Sequence, residues 1–210
     1  MAKIIALVGD YWHDGEAAKA ALEAAIKRLP NKDEFELQYV TYEEVVEALE
    51  TKPDLFINAK MNKLNPKDEH IINWLTEEAD EKIETYVKNG GSILAWHAGM
   101  AGYPRHTHYT QLLRGSFDYH PPGLQEVIYK GKDATFTIAD ELYFVHCDEA
   151  NTEVYLRSTG VDGDTIAGWK HPYGKGKVCC LTPAHTKEGM LNENISRLLA
   201  EKIMWLVSHE

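Results

Sequence analysis

The chain has 210 residues, 44% of them apolar, and a formal net charge of −11. That length suits one large domain, residues 1–210, and no run approaches the roughly 20 apolar residues that a bilayer-spanning helix needs. An acidic balance without clustered Lys and Arg excludes nucleic acid as a partner, and an N-terminus that runs straight into a strand pattern gives no membrane signal, so a cytoplasmic protein is expected.

Lys3 to Gly9 is a continuous apolar run of strand length, the pattern of a central parallel strand covered on both faces. A polar and aromatic loop, Asp10 to Gly15, leads into a helix over Glu16 to Leu29. Its inward stripe is Ala18, Ala21, Leu22, Ala25, Ile26 and Leu29. Phe35 to Val40 reads as a second strand, Tyr42 to Leu49 as a short helix and Asp54 to Ala59 as a third strand. Asn65-Pro66 predicts a helix start, with Asn capping and Pro at the first helical position. Apolar residues from Ile71 to Val87 follow at helical spacing, while Thr76-Glu77-Glu78 offers a second cap within the run. Gly90-Gly91 ends it, and the short apolar strand Ser92 to Trp96 delivers His97 to a turn of small residues, Ala98 and Gly99.

Alternating strands and helices imply parallel strands with right-handed crossovers and ligands outside the strand carboxyl ends. Beyond Pro104 the texture changes. Tyr109 to Arg114 is a short helical turn and Gly115 to Gly123 an extended loop closed by prolines. Gln125 to Tyr129, Ala134 to Ile138, Val154 to Arg157 and Thr165 to Trp169 are strand patterns, read as β-hairpins added to the same sheet; Val178 to Leu181, after a glycine-rich turn, is a further strand, and a last helix runs from about Leu191 to Val207. The fold class is therefore α/β, with a mainly parallel central sheet and added hairpins in the C-terminal half.

A polar residue followed by small ones at a strand end has the geometry of a nucleophile elbow, but an imidazole there favours proton transfer or metal binding over acyl-enzyme chemistry. His13, His97 and His185 each follow a core strand and His120 sits in the Pro-rich loop, so the four converge at one sheet edge; each alone could equally be a loop-capping histidine. Asp140-Glu141 beside Tyr143 either orients an imidazole or supplies a base, although a capped turn would look the same. His106-x-His108 is a weak metal spacing, and His70, His171 and His209 read as surface or helix positions. Trp12, Trp96, Tyr103, Tyr119 and Trp169 lie near the same edge and would suit the apolar faces of sugar rings. Gly174-Lys175-Gly176 is too short for a phosphate loop. Cys147, Cys179 and Cys180 have no metal or disulfide spacing, and the adjacent pair reads as buried thiols.

Gly90 to Gly99, Ala101-Gly102-Tyr103-Pro104, His120-Pro121-Pro122, Asp140-Glu141-Leu142-Tyr143, Ala167-Gly168-Trp169, Tyr173 to Val178 and Leu181 to His185 together resemble the ThuA-like, or trehalose-utilisation, family. The resemblance runs from the first strand to the last helix. It implies a flavodoxin-like three-layer fold related to class I glutamine amidotransferases, with His97 where those enzymes carry Cys, so thiolate amidotransferase chemistry is not expected. It also implies sugar catabolism, and by motif it points to His13, His97, His120, Glu141 and His185. Many relatives have a Trp- and His-rich segment after the third strand where this chain has Asn58-Ala59-Lys60-Met61-Asn62.

The combined expectation is an enzyme acting on a carbohydrate or keto-sugar by isomerisation, epimerisation or elimination, with His97, Glu141 and His185 catalytic. His13, Trp96, Tyr103, His120, Tyr143 and Trp169 would bind the substrate. A divalent metal such as Zn would sit on His13, His97, His120 and His185. The alternative is a non-catalytic carbohydrate-binding or regulatory module. A homo-oligomer of undetermined size is expected.

Overall fold

The computed structural model describes residues 1–132 and 134–208. Its first half builds the parallel part of the sheet. Strands β1 (Ala2–Val8), β2 (Phe35–Tyr39), β3 (Leu55–Ala59) and β4 (Ser92–Trp96) are separated by helices α1 (Gly15–Lys27), α2 (Val45–Glu50) and α3 (Glu77–Lys88). All five residues of β3 and of β4 are buried, which is why these strands read as unbroken apolar runs. Alternate residues serve opposite faces. Ile4, Ile57 and Leu94 pack against α1 and the C-terminal helix, whereas Ile5, Phe56 and Ile93 pack against α2 and α3. Truncating one such side chain, Leu22 of α1 for example, would cost about 2–5 kcal/mol.

The second half runs through α4 (His108–Leu113), β5 (Gly115–Tyr119), β6 (Gln125–Gly131), β7 (Thr135–Asp140), β8 (Phe144–Cys147), β9 (Glu153–Gly160), β10 (Gly163–Tyr173) and β11 (Gly176–Leu181). It ends in α5 (Lys187–Met190) and α6 (Glu193–Val207). The main sheet has nine strands in the order β2-β1-β3-β4-β11-β10-β9-β6-β7. Pairing is parallel from β2 across to β11 and antiparallel from β11 to β7, so the sheet is divided between the two modes. β6 and β7 alternate buried and exposed residues, as strands covered on one face do.

Three expectations are corrected. The predicted helix at Asn65-Pro66 does not form: the Asn65 side chain accepts from Ile72 N–H and donates to the His70 carbonyl, closing a loop, and Ile71 and Ile72 stay exposed. The helix begins at the second cap, where the Thr76 hydroxyl accepts from Ala79 N–H and three acids occupy the first turn. Gly115–Tyr119, expected as loop, is a strand paired with the unpredicted β8. His171, expected at a surface or helix position, lies on a strand and is buried at the contact of β10 with α4. His209 lies outside the described residues.

Candidate active site and metal centre

Two sharp corners bring the site together at the carboxyl ends of the parallel strands. After β1, Gly9 takes a φ of +83°, and a Cβ there would meet the Gly15 Cα at 2.9 Å, so the chain can double back at this point only as glycine. The turn aims Asp10 at His13: Asp10 Oδ1 accepts the His13 Nδ1–H at 2.6 Å and the Trp12 amide at 2.9 Å, while Oδ2 accepts the Met61 amide from beyond β3 at 2.9 Å. Burial acts to raise the Asp10 carboxyl, but the bonds from His13, Met61 and Trp12 outweigh it and hold it below the usual range. After β4, His97 takes a φ of +46°, a conformation costly for a non-glycine residue. Two residues on, a Cβ on Gly99 would lie 1.9 Å from the Asn58 carbonyl oxygen, so the corner packs flush on β3.

His97 is 2% exposed, and its Nδ1–H donates to the Thr182 carbonyl at 2.6 Å. A carbonyl only accepts, so the proton is on Nδ1 and the Nε2 lone pair faces inward. There it lies 3.4 Å from His185 Nδ1 and 3.8 Å from Glu141 Oε2, and Glu141 Oε2 is 3.3 Å from His185 Nδ1. The His13 ring sits edge-on to both His97 and His185 with centroids 5.0 Å apart. His120 donates Nδ1–H to the Pro121 carbonyl and turns Nε2 to within 3.6 Å of Glu141 Oε1. Tyr143 stacks against both His97 and His120, with ring centroids 4.3 and 5.7 Å away.

Burial, reinforced by His13, holds the His97 imidazole well below the ordinary histidine range, so it is neutral at pH 7. Burial also lowers His185, against the opposing pull of Glu141. Neutral imidazoles are what a metal or a proton acceptor requires. One donor atom from each of His13, His97, Glu141 and His185 lies within 4.8 Å of the other three. Of the three separations around His97, Glu141 and His185, 3.3 and 3.4 Å match the edge of about 3.3–3.4 Å that tetrahedral zinc with bonds of about 2.0–2.1 Å would impose, and the third, 3.8 Å, is longer. The Asp10–His13 pair is the carboxylate–histidine arrangement that orients metal ligands. The donor set therefore fits a divalent ion such as zinc.

Of the site residues expected from the sequence, His13, His97, Glu141, His185, His120 and Tyr143 are brought together, with His120 at the rim next to Glu141 rather than in the four-residue donor group. Trp96, Tyr103 and Trp169 are not presented to a ligand. They are 1%, 6% and 0% exposed, and their polar atoms are taken by the Pro183 carbonyl, by Asn58, Trp74 and the Lys60 carbonyl, and by the Leu113 carbonyl. Of the aromatics expected at this edge, Trp12 and Tyr119 are exposed, as is Tyr11 beside Trp12. His106 and His108 are exposed, and His108 meets Glu84. Burial pushes the Cys179 thiol up to about 11 and raises Cys180 as well, which removes thiolate chemistry. Asp10 is the residue of this cluster that the sequence pattern did not single out. The signal available was an Asp three residues before a His in the turn after a strand.

An α/β sheet carrying a histidine–carboxylate centre at the carboxyl ends of its parallel strands defines the class of protein. Among the described residues no helix is long and apolar enough to cross a membrane. A profile of the family described as ThuA, trehalose utilisation, matches residues 7–206, and the chain belongs to that family. Among solved structures, a ThuA-like protein from Parabacteroides merdae superposes with a TM-score of 0.72 at 15% identity, covering 100% of this chain and 91% of that one. A ThuA-like protein from Bacteroides uniformis gives 0.70 at 19% identity, with 100% and 92% covered. A cytoplasmic protein from Salmonella typhimurium LT2 gives 0.66 at 15% identity, with 97% and 99% covered. These likenesses show a shared fold. No curated protein matches the chain significantly.

Proposed function

We propose that this protein is a sugar-catabolism enzyme that moves a proton at the carbon beside a carbonyl of a carbohydrate or keto-sugar, leading to isomerisation, epimerisation or elimination. The observation that carries the reading is the convergence of His13, His97, His185 and Glu141 donor atoms within 4.8 Å at the strand carboxyl ends. Family membership supports the substrate class. A bound divalent ion would polarise the carbonyl oxygen and so acidify the neighbouring C–H. Of the chain's own groups, Glu141 and the rim imidazole of His120, 3.6 Å apart, are the pair suited to take and return the proton. Tyr143 braces the His97 and His120 rings by stacking on each, and exposed Trp12 and Tyr119 offer faces for a sugar ring.

The same reading has the protein as one flavodoxin-like domain, cytoplasmic like its Salmonella neighbour, working as a homo-oligomer on a small carbohydrate. The test is proton NMR of keto-glucosides in deuterated water with untagged protein, before and after chelation and zinc addition. Exchange of the proton beside the carbonyl, lost with chelator and restored by zinc, is the expected result. Spectra indistinguishable from protein-free samples on several keto-sugars would replace the enzyme with a non-catalytic carbohydrate-binding module.

A further inference from the structure

We propose that Asp140 is the positioning residue that sets the spacing between Glu141 and His185. These two residues come from the end of β7 and from the segment after β11, and four strand pairings separate β7 from β11 in the sheet. No ladder of hydrogen bonds therefore fixes one against the other. A single oxygen does: Asp140 Oδ1 accepts the Glu141 amide at 3.0 Å and the His185 amide at 2.8 Å. The other oxygen accepts the Tyr129 hydroxyl at 2.7 Å, which fixes the plane of the carboxyl group. Asp140 is 0% exposed. A side chain that merely capped its own turn would need the Glu141 contact alone and could face water. Burying a carboxyl group is costly unless its oxygens are satisfied, and here the bonds that satisfy them reach 45 residues along the chain to His185 and 11 to Tyr129.

Only the consequence for chemistry rests on the functional reading above; the clamp itself is a statement about two amides. In the metal-free wild type, the Glu141 and His185 amides should exchange with solvent at least about tenfold more slowly than exposed loop amides, since both are bonded to a buried acceptor. D140L keeps the side-chain size and removes the acceptor. It should lose that protection, weaken zinc about 10- to 100-fold in competition with a chromophoric chelator, and lower kcat more than it raises KM. D140N retains Oδ1 for both amides, and its NH2 can donate to a Tyr129 hydroxyl that turns to accept, so it should recover most of what D140L loses. Fast exchange of both amides in the wild type overturns the proposal without any variant, which covers the case in which D140L fails to fold. A D140N as impaired as D140L also overturns it, because charge rather than position would then matter. Protected amides in a wild type that neither retains zinc nor exchanges keto-sugar protons would sink the functional reading and leave the clamp standing.

Discussion

The corner at His97 and the seam at His171 each bury an imidazole almost completely, and burial depresses both pKa values, His171 to about 4. Each ring also donates one N–H to a backbone carbonyl, of Thr182 for His97 and of Leu112 for His171. The difference is the other nitrogen. His97 Nε2 faces His185 and Glu141, whereas His171 Nδ1 is buried with no partner. Burial makes a histidine neutral; the groups its free nitrogen meets decide whether that neutrality is useful.

Substituting the two residues is the harshest way to break this contrast. His97→Gly should reduce keto-sugar proton exchange by at least about 100-fold while the melting temperature stays near wild type, because glycine relieves the strained φ of +46° as packing is lost. His171→Gln should leave exchange within a few-fold of wild type. Equal losses in the two would erase the distinction. A milder probe acts one residue further out. Asp10→Asn removes the charge that orients His13, and titration with a competing chelator should show zinc bound about tenfold more weakly.

The remaining effect belongs to His171 and concerns stability rather than chemistry. Its pKa is lower in the folded protein than unfolded, so the neutral ring's contribution is intact above pH 6.5 and is lost as pH falls towards about 4. Across that window the wild type should lose roughly 2–3 kcal/mol more than His171→Gln, read as a difference in urea midpoints at the two pH values. A wild type and variant that lose stability in parallel would show that protonating this ring does not oppose folding.

Strands with continuous apolar runs were legible because both faces of β3 and β4 are covered, and the helix of Ala18, Ala21, Leu22 and Ala25 because its stripe meets the sheet. Asn65-Pro66 misled because a cap is only a local preference; with Ile71 and Ile72 exposed, no buried stripe sustains a helix there. β8 escaped notice because Phe144–Cys147 is four residues long and its pairing with Gly115–Tyr119 is remote in sequence. The histidines that follow strands could be placed at one edge from topology alone. Which aromatics face that edge could not: Trp96 follows the strand pattern as well as His97 does, and only three-dimensional packing turns its indole toward the Pro183 carbonyl. Asp140 stands out beside Glu141 as a residue that orients an imidazole, supplies a base or caps a turn, whereas Asp10 does not; the bonds of both to distant amides, Met61 for Asp10 and His185 for Asp140, are invisible in a linear pattern.

Gly99 bears on how such a chain can change over time. To mutational drift, position 99 is a closed door: even alanine places a carbon inside the Asn58 carbonyl. Asn58 also donates to the hydroxyls of Tyr103 and Tyr109, so widening that gap disturbs a second network as well as the corner. Under the proposed function, new substrates would be reached by exchanging exposed residues such as Trp12 and Tyr119, while the corner that carries His97 would be inherited unchanged or lost.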